Sequence, residues 1–383
     1  MSRSVSLAFR VLCLLLVVCA IPAAAFAAGS ATTTSATTTI KIGSVDSLTG
    51  LVSFCGASEL RGIQLAIKQA NAGKVLGKNT TISLTSLDDG SSPTQGLAAY
   101  RTLVGQKPAA IIGSCLSSVD QAVAPLTNND KIPVVFPQGG GPTLCVPQTN
   151  PYVYCGAVFQ GTVGPRSVAI LAKRGVKSIS VIYASDNPTI ALVWQIMKAS
   201  LAAKKINVVD EFPVSSTTSD FSSFIAQIKK HNPGAVGLFL IGGQNISGVT
   251  QLRQAGITIP VLGAASMSVA NFIPQSGAAA NGSLFATTFD PRMKYPSSTA
   301  FASAFQTAYG VTADFPAASG YDSARMVIEA LITKQKRKVS LTKALNITRK
   351  TKGAEGPLTR KNHSTYGPGV VIEVINQQAT VAG

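Results

Sequence analysis

From residue 40 onward, short runs of β-branched and apolar residues alternate with stretches whose apolar positions recur every three to four residues. Residues 40–45 read as a strand. Residues 59–72 read as a helix, with Leu60, Ile63, Ala66, Ile67 and Ala70 on one face. Strands follow at 82–87, 109–112 and 134–136, separated by helices at 93–104 and 117–126, the first of which opens on a proline. After an extended stretch at 152–159 the alternation begins again. Helices are expected at 162–173, 189–203, 221–230 and 247–255, and strands at 179–183, 208–214, 236–240 and 261–262. A strand at 284–288, helices at 298–309 and 315–334, and a last strand at 370–375 complete the pattern. Two consecutive β-α sets of similar length predict an α/β protein of two Rossmann-like lobes, each with a parallel sheet.

The chain has 383 residues, 46% of them apolar and 13% charged, which excludes a disordered chain and allows two real cores. Its first residues read as an export signal. Arg3 and Arg10 precede an apolar run at 11–21, and Ala25-Phe26-Ala27 offers a cleavage site near Ala27. A Ser/Thr-rich linker, residues 28–39, has nothing to bury. Export removes Cys13 and Cys19 and leaves Cys55, Cys115, Cys145 and Cys155, an even number in an oxidising compartment. Three pairings exist. The short loop favours Cys145–Cys155, leaving Cys55–Cys115 to join two loops that both follow strands, with four free thiols as the alternative.

The formal charge is +17, and ten basic residues lie between Lys334 and Lys361 against one acid, Glu355. A solvated basic face is the favoured reading of that segment, and no nucleic-acid partner is expected. With only His231 and His363, neither a multi-histidine metal site nor a nucleophile–histidine triad is expected. No P-loop, dinucleotide fingerprint or nucleophile elbow occurs, so no cofactor and no enzyme activity are expected. Asp88-Asp89 reads as turn and helix-capping polarity. What recurs is a set of small, polar, Gly-rich loops directly after strands, at 46–56, 113–118, 138–143, 185–188, 242–247 and 263–268. Ligands bind beyond the carboxyl ends of strands in open parallel sheets, so two lobes facing each other with such loops would form a closing cleft.

The stretches IKIGSVDSLTG, ELRGIQLAIKQAN, LDDGSSPTQG and IIGSCLSSVDQAVAPLTNNDKIPVVFP resemble type I periplasmic binding proteins, and within them the branched-chain amino acid-binding group of ABC-transporter substrate-binding proteins. FSSFIAQIKKHNPGAVGLFLIGG, TQLRQAGITIPVLG and FASAFQTAYGVTADFPAASGYDSARMVIEAL continue the resemblance in order. It implies two lobes joined by three crossovers, here near Phe159, Asp290 and Lys334. The N-terminal lobe would then be 40–158 plus 290–334, and the C-terminal lobe 159–289 plus 335–383. It also implies a small-molecule ligand trapped by hinge closure, a permease partner at the membrane, and a monomer. A ligand-sensing receptor of the same fold is the alternative.

Carried onto this chain, the resemblance places first-lobe ligand groups at Ser117, with Ser118 beside it, at Gln138, Gly139 and Gly140, and at the aromatic-wall positions Phe54 and Cys55. In the second lobe it points to Gln244, Asn245 and Ser266. Where amino-acid binders carry an acid for the α-ammonium, this chain has Ala265, and the tyrosine positions fall on Pro188 and Gln244; Asp186 or Asp290 would have to replace the acid. The implied ligand is a small organic acid, amide or atypical amino acid rather than leucine.

Overall fold

A computed structural model describes residues 37–138, 143–347 and 349–382. The export signal, most of the linker and Gly139–Gly140 lie outside the described residues. The first lobe is built from β1 (Thr38–Asp46), α1 (Ser53–Ala72), β2 (Thr80–Asp88), α2 (Pro93–Gly105), β3 (Ala110–Ile112), α3 (Ser117–Val123), α4 (Thr127–Asp130), β4 (Val134–Phe136) and β5 (Val153–Cys155). Its five strands run parallel in the order β2-β1-β3-β4-β5. The β3 and β4 strands are three apolar residues each and are buried throughout, as central strands covered on both faces must be. Thr38 and Thr39, expected in the linker, are already strand residues paired with Thr80 and Thr81.

The second lobe follows as α5 (Pro165–Lys173), β6 (Ser178–Ala184), α6 (Pro188–Ala203), β7 (Asn207–Val214), α7 (Ser222–His231), β8 (Ala235–Phe239), α8 (Gln244–Gln254), β9 (Val261–Gly263), α9 (Phe272–Ser276) and β10 (Ser283–Thr287). Then come α10 (Pro296–Tyr309), α11 (Phe315–Arg337), α12 (Leu341–Leu345), β11 (Arg349–Gly353), β12 (Gly356–Lys361), β13 (Ser364–Tyr366), β14 (Val370–Ile375) and β15 (Gln378–Val381). The second sheet has the order β15-β14-β10-β9-β8-β6-β7, parallel from β7 to β10, with β14 and β15 added antiparallel at one edge. Local chemistry sets the helix starts. Asn187 accepts from Ile190 N (3.0 Å) with Pro188 next, and Asp314 Oδ1 accepts from Ala317 N (3.2 Å) ahead of Pro316.

The tail differs from expectation. The α11 helix returns to the first lobe and crosses α1 at Gly62 and Gly320, where a β-carbon on either would strike the other helix's backbone. Residues 341–366 stay there. His363 stacks on Tyr154 with ring centroids 4.1 Å apart, and Tyr154 Oη donates to Asn346 Oδ1 (2.9 Å). The third crossover is therefore residues 367–369, between β13 and β14, not Lys334, which lies within α11. The basic segment is also not wholly a solvated face. Arg360 is 3% exposed and donates to Glu329 Oε2 at 2.7 Å, because β12 alternates buried and exposed positions against α11.

Glu355 ties this tail to the hinge. It accepts from Val158 N (2.7 Å) on the first crossover and from Ser319 Oγ (3.3 Å) on α11. Burial, reinforced by repulsion from Asp322, pushes its carboxyl up to about 8.

Candidate functional site

Both sheets reverse their strand order once, between β1 and β3 in the first lobe and between β6 and β8 in the second. The loops leaving those four strands meet in one cavity, with ≈ 500 Å³ of empty space when the open solvent at its mouth is included. Val52, Phe54 and Cys55 follow β1; Cys115, Leu116 and Ser117 follow β3; Asn187, Thr189 and Ile190 follow β6; Ile241 and Gly242 follow β8. This is the switch-point geometry expected of open α/β sheets. Gln138 after β4, Gln160 on the first crossover, Ser266 and Val269 after β9, and Phe315 opening α11 close the remaining sides.

The first-lobe wall is covalently fixed. Cys55 and Cys115 form a disulfide (Cα–Cα 6.2 Å), and Cys145–Cys155 forms a second (5.8 Å), in the expected pairing. Behind the wall lies a layer of buried acids. Gln138 Nε2 donates to Glu59 Oε2 at 3.1 Å, Asp120 Oδ1 accepts from Ser114 N at 3.0 Å, and Asp89 Oδ2 accepts from Ser114 and Ser47 hydroxyls. Burial, together with repulsion from Asp46 and Asp120, holds Glu59 well above the usual carboxylate range, and burial does the same for Asp120. Burial pushes Asp46 up to about 7, against hydroxyl bonds from Ser44 and Ser86. Asp88 and Asp89 organise loops. Asp88 Oδ1 accepts from Leu48, Thr49 and Gly90 N–H groups, and Asp89 Oδ1 from Ser91 N.

The second-lobe wall is neutral and is formed at helix N-termini. The α6 helix, sixteen residues long, presents Asn187, Thr189 and Ile190 to the cavity, and α8 approaches it through Gly242. Such ends carry positive potential. The lobes touch here: Ser117 Oγ donates to Asn187 Oδ1 at 3.3 Å and accepts from Thr189 N at 3.4 Å. Gly242 sits at φ +52° against Leu51, and a β-carbon would lie 3.1 Å from the Leu51 carbonyl oxygen. None of the sixteen lining residues is charged. Thr189 Oγ1 and Gln160 Oε1 are buried and have no hydrogen-bond partner among the described residues.

Of the expected site residues, Phe54, Cys55, Ser117, Gln138 and Ser266 line the cavity. Ser118 is half-buried and outside it. Four second-lobe expectations turn inward or away. Gln244 Nε2 donates to Ser215 and Thr218 carbonyls (2.9 Å each), and Asn245 Nδ2 to Leu240 O and Ser266 Oγ (3.1 Å each). Asp186 is exposed and braces Ser215 and Ser216, while Ala265 is buried beneath the lining. Asp290, the other substitute acid, pairs with Arg292 at 3.0 Å away from the cavity. Asn187, Thr189 and Gln160 were not anticipated. The Asn-Pro-Thr opening of α6 is a legible helix start, but which of its side chains faces the cleft depends on how the lobes meet.

The periplasmic binding protein family model matches residues 39–379. A Leu/Ile/Val-binding protein of Rhizobium johnstonii is 27% identical over 271 residues, 69% of this chain and 71% of that protein. A leucine-binding protein of Thermotoga maritima superposes with TM-score 0.81 at 24% identity, covering 90% of this chain and 98% of that one. A solute-binding protein of an R. palustris ABC transporter, solved with benzoate, gives 0.80 at 22% identity, covering 90% and 96%. With the family match spanning nearly the whole described chain and the two-lobed architecture agreeing, this protein belongs to the periplasmic binding protein family.

Proposed function

We propose that this chain is the exported solute-binding protein of an ABC importer, acting as a monomer that delivers its ligand to a membrane permease, and that the ligand is a small carboxylate with an apolar body and no ammonium group. The observation that carries the ligand class is the lining: sixteen residues, none acidic, around two helix N-terminal approaches and a buried, unpartnered Thr189 hydroxyl. An α-ammonium here would be desolvated without a counter-charge, which costs several kcal/mol or more. A carboxylate would take the Ser117 and Thr189 hydroxyls in the positive potential of the α6 and α8 N-termini, while Phe54, Ile190, Ile241 and Phe315 cover the body. Gln160 Oε1 would accept from a ligand hydroxyl. The benzoate complex of the R. palustris relative is in keeping with this class.

A thermal-shift panel tests it, using protein unfolded and refolded to strip carried-over ligand. A ligand at about 100 times its Kd adds about 2.7 kcal/mol, a rise of several degrees. Shifts with aromatic or branched aliphatic carboxylates and none with amino acids are expected. Shifts confined to amino acids would overturn the ligand class, and turnover of any compound would overturn the binding-protein reading.

A further inference from the structure

The edge of the first sheet far from the cleft is a second place where chemistry is concentrated. The connection at 73–79, which leads into β2, meets the end of α11 there, and those at 106–109 and 131–133 lead into β3 and β4 from the same end of the parallel sheet. Thr38, Leu76, Thr80, Leu331 and Val339 share a hollow with Lys334 and Lys338, and Gln335 Nε2 donates to Leu76 O at 3.1 Å. Lys74, Lys78, Lys107, Lys334, Lys336 and Lys338 are all exposed at this end. Among the described residues, none of the six has an ion-pair partner. The acid nearest in sequence, Glu329, five residues before Lys334, is committed to Arg325, Arg349 and Arg360.

Lys74, Lys107, Lys131 and Lys338 occupy left-handed backbone positions (φ 49°, 52°, 55° and 52°) just past helix ends, where glycine or asparagine is the low-strain choice. The helix dipole favours one base at each such end. It favours Lys334 and Lys336 in the last turn of α11 as well, and does not account for Lys78. The second lobe differs in part: Lys198 pairs with Glu211, Arg174 pairs with Glu373 and His231 lies 2.7 Å from Asp210, while Lys204, Lys205, Lys229 and Lys230 are exposed without an ion-pair partner among the described residues.

We infer that this pole of the first lobe rests on an anionic bilayer surface. The bases are spread over several connections rather than lining a groove, which suits a field of headgroups better than a single strand or peptide. Val75, 42% exposed between Lys74 and Lys78, supplies an apolar side chain among the charges, as interfacial contacts use. The chain enters the fold at this pole too, at Thr38, after the apolar run at 11–21 and the linker.

The test is co-sedimentation of protein collected after export with vesicles of phosphatidylcholine, alone or mixed with phosphatidylglycerol. One variant carries Lys74→Gln, Lys78→Gln, Lys334→Gln and Lys336→Gln. The other carries Lys204→Gln, Lys205→Gln, Lys229→Gln and Lys230→Gln on the second lobe, removing equal charge from residues that are also exposed. Melting curves establish that both fold. Binding to the mixed vesicles alone, weakened by salt, is expected, with a roughly fivefold loss per first-lobe lysine removed and little change in the second-lobe variant. No vesicle binding, or equal loss in both variants, overturns the inference. So does tighter binding to a DNA duplex through the same lysines, which would make the pole a nucleic-acid surface.

Discussion

The two walls of the cleft are built on different principles. The first-lobe wall is held from behind, by a disulfide between two of its loops and by a layer of buried acids, their carboxyls raised by burial, that fix Gln138 and the loop after β3. The second-lobe wall has neither. It presents the N-terminal approaches of α6, capped by Asn187, and α8, and leaves the Thr189 hydroxyl without a partner among the described residues, while its own acid, Asp186, is committed to Ser215 and Ser216. One wall is a prepared surface. The other supplies groups that gain partners when ligand is present, which is what a closing cleft requires if the ligand is to bind the closed state better than the open one.

The sharpest way to break that contrast is to cut the first wall. Cys55→Ser with Cys115→Ser opens a 60-residue loop and should cost about 4 kcal/mol in denaturant unfolding, with a clear loss of ligand affinity. Cys145→Ser with Cys155→Ser opens a 10-residue loop, and should cost about 2.7 kcal/mol with affinity nearly intact. Equal affinity loss in the two would mean that the first disulfide has no special part in the wall.

The acid layer predicts an unusual pH profile. Asp46 titrates near 3.8 in the unfolded chain and about 7 in the folded one, so the folded chain keeps a proton that the unfolded chain gives up. This contribution is complete below about pH 4 and is lost as pH rises to 7, a change of a few kcal/mol at most. Glu355, raised to about 8, acts in the same direction to higher pH. Asp186 and Glu211, lowered by hydrogen bonds against a burial effect that raises them, act oppositely and lose their contribution as pH falls through the acid range. Stability should therefore be higher at pH 5 than at pH 8, and Asp46→Asn should flatten the slope. Stability that rises between those pH values would remove the acid layer from the account.

Smaller effects separate the walls residue by residue. Ser117→Ala should weaken ligand binding roughly tenfold or more by calorimetry, the scale of one hydrogen bond to a charged group, with little change in melting temperature. Gly242→Ala places a β-carbon at a left-handed position against Leu51 and should slow or weaken closure by a similar or smaller factor. Asp186→Asn and Gln244→Ala should leave affinity within about twofold while lowering stability by roughly 1 kcal/mol. An affinity loss from either would return it to the site.

How much of this was legible in the sequence follows the same division. The α/β alternation, the two lobes and most elements could be read from β-branched runs and apolar spacing, because parallel sheets bury continuous apolar strands. Both disulfide pairings were also legible from loop length and position, and the resemblance, rather than the spacing, pointed to Ser117 and Gln138, which line the cavity. Of the second wall only Ser266 was anticipated. Gln244 and Asn245 lie in the right loop, but helix α8 turns them toward their own lobe's carbonyls. The antiparallel β11–β13 sheet was missed because a run of bases masks the alternation that buries Leu358, Arg360 and Thr365.

The central claim is a carboxylate site without an ammonium partner, and one comparison tests it directly: calorimetric titration of stripped protein with leucine and with 4-methylpentanoate, the same carbon skeleton without the amino group. Stronger binding of 4-methylpentanoate is the predicted result. Stronger binding of leucine would contradict the account, because the ammonium would then have found a counter-charge that the neutral lining does not supply.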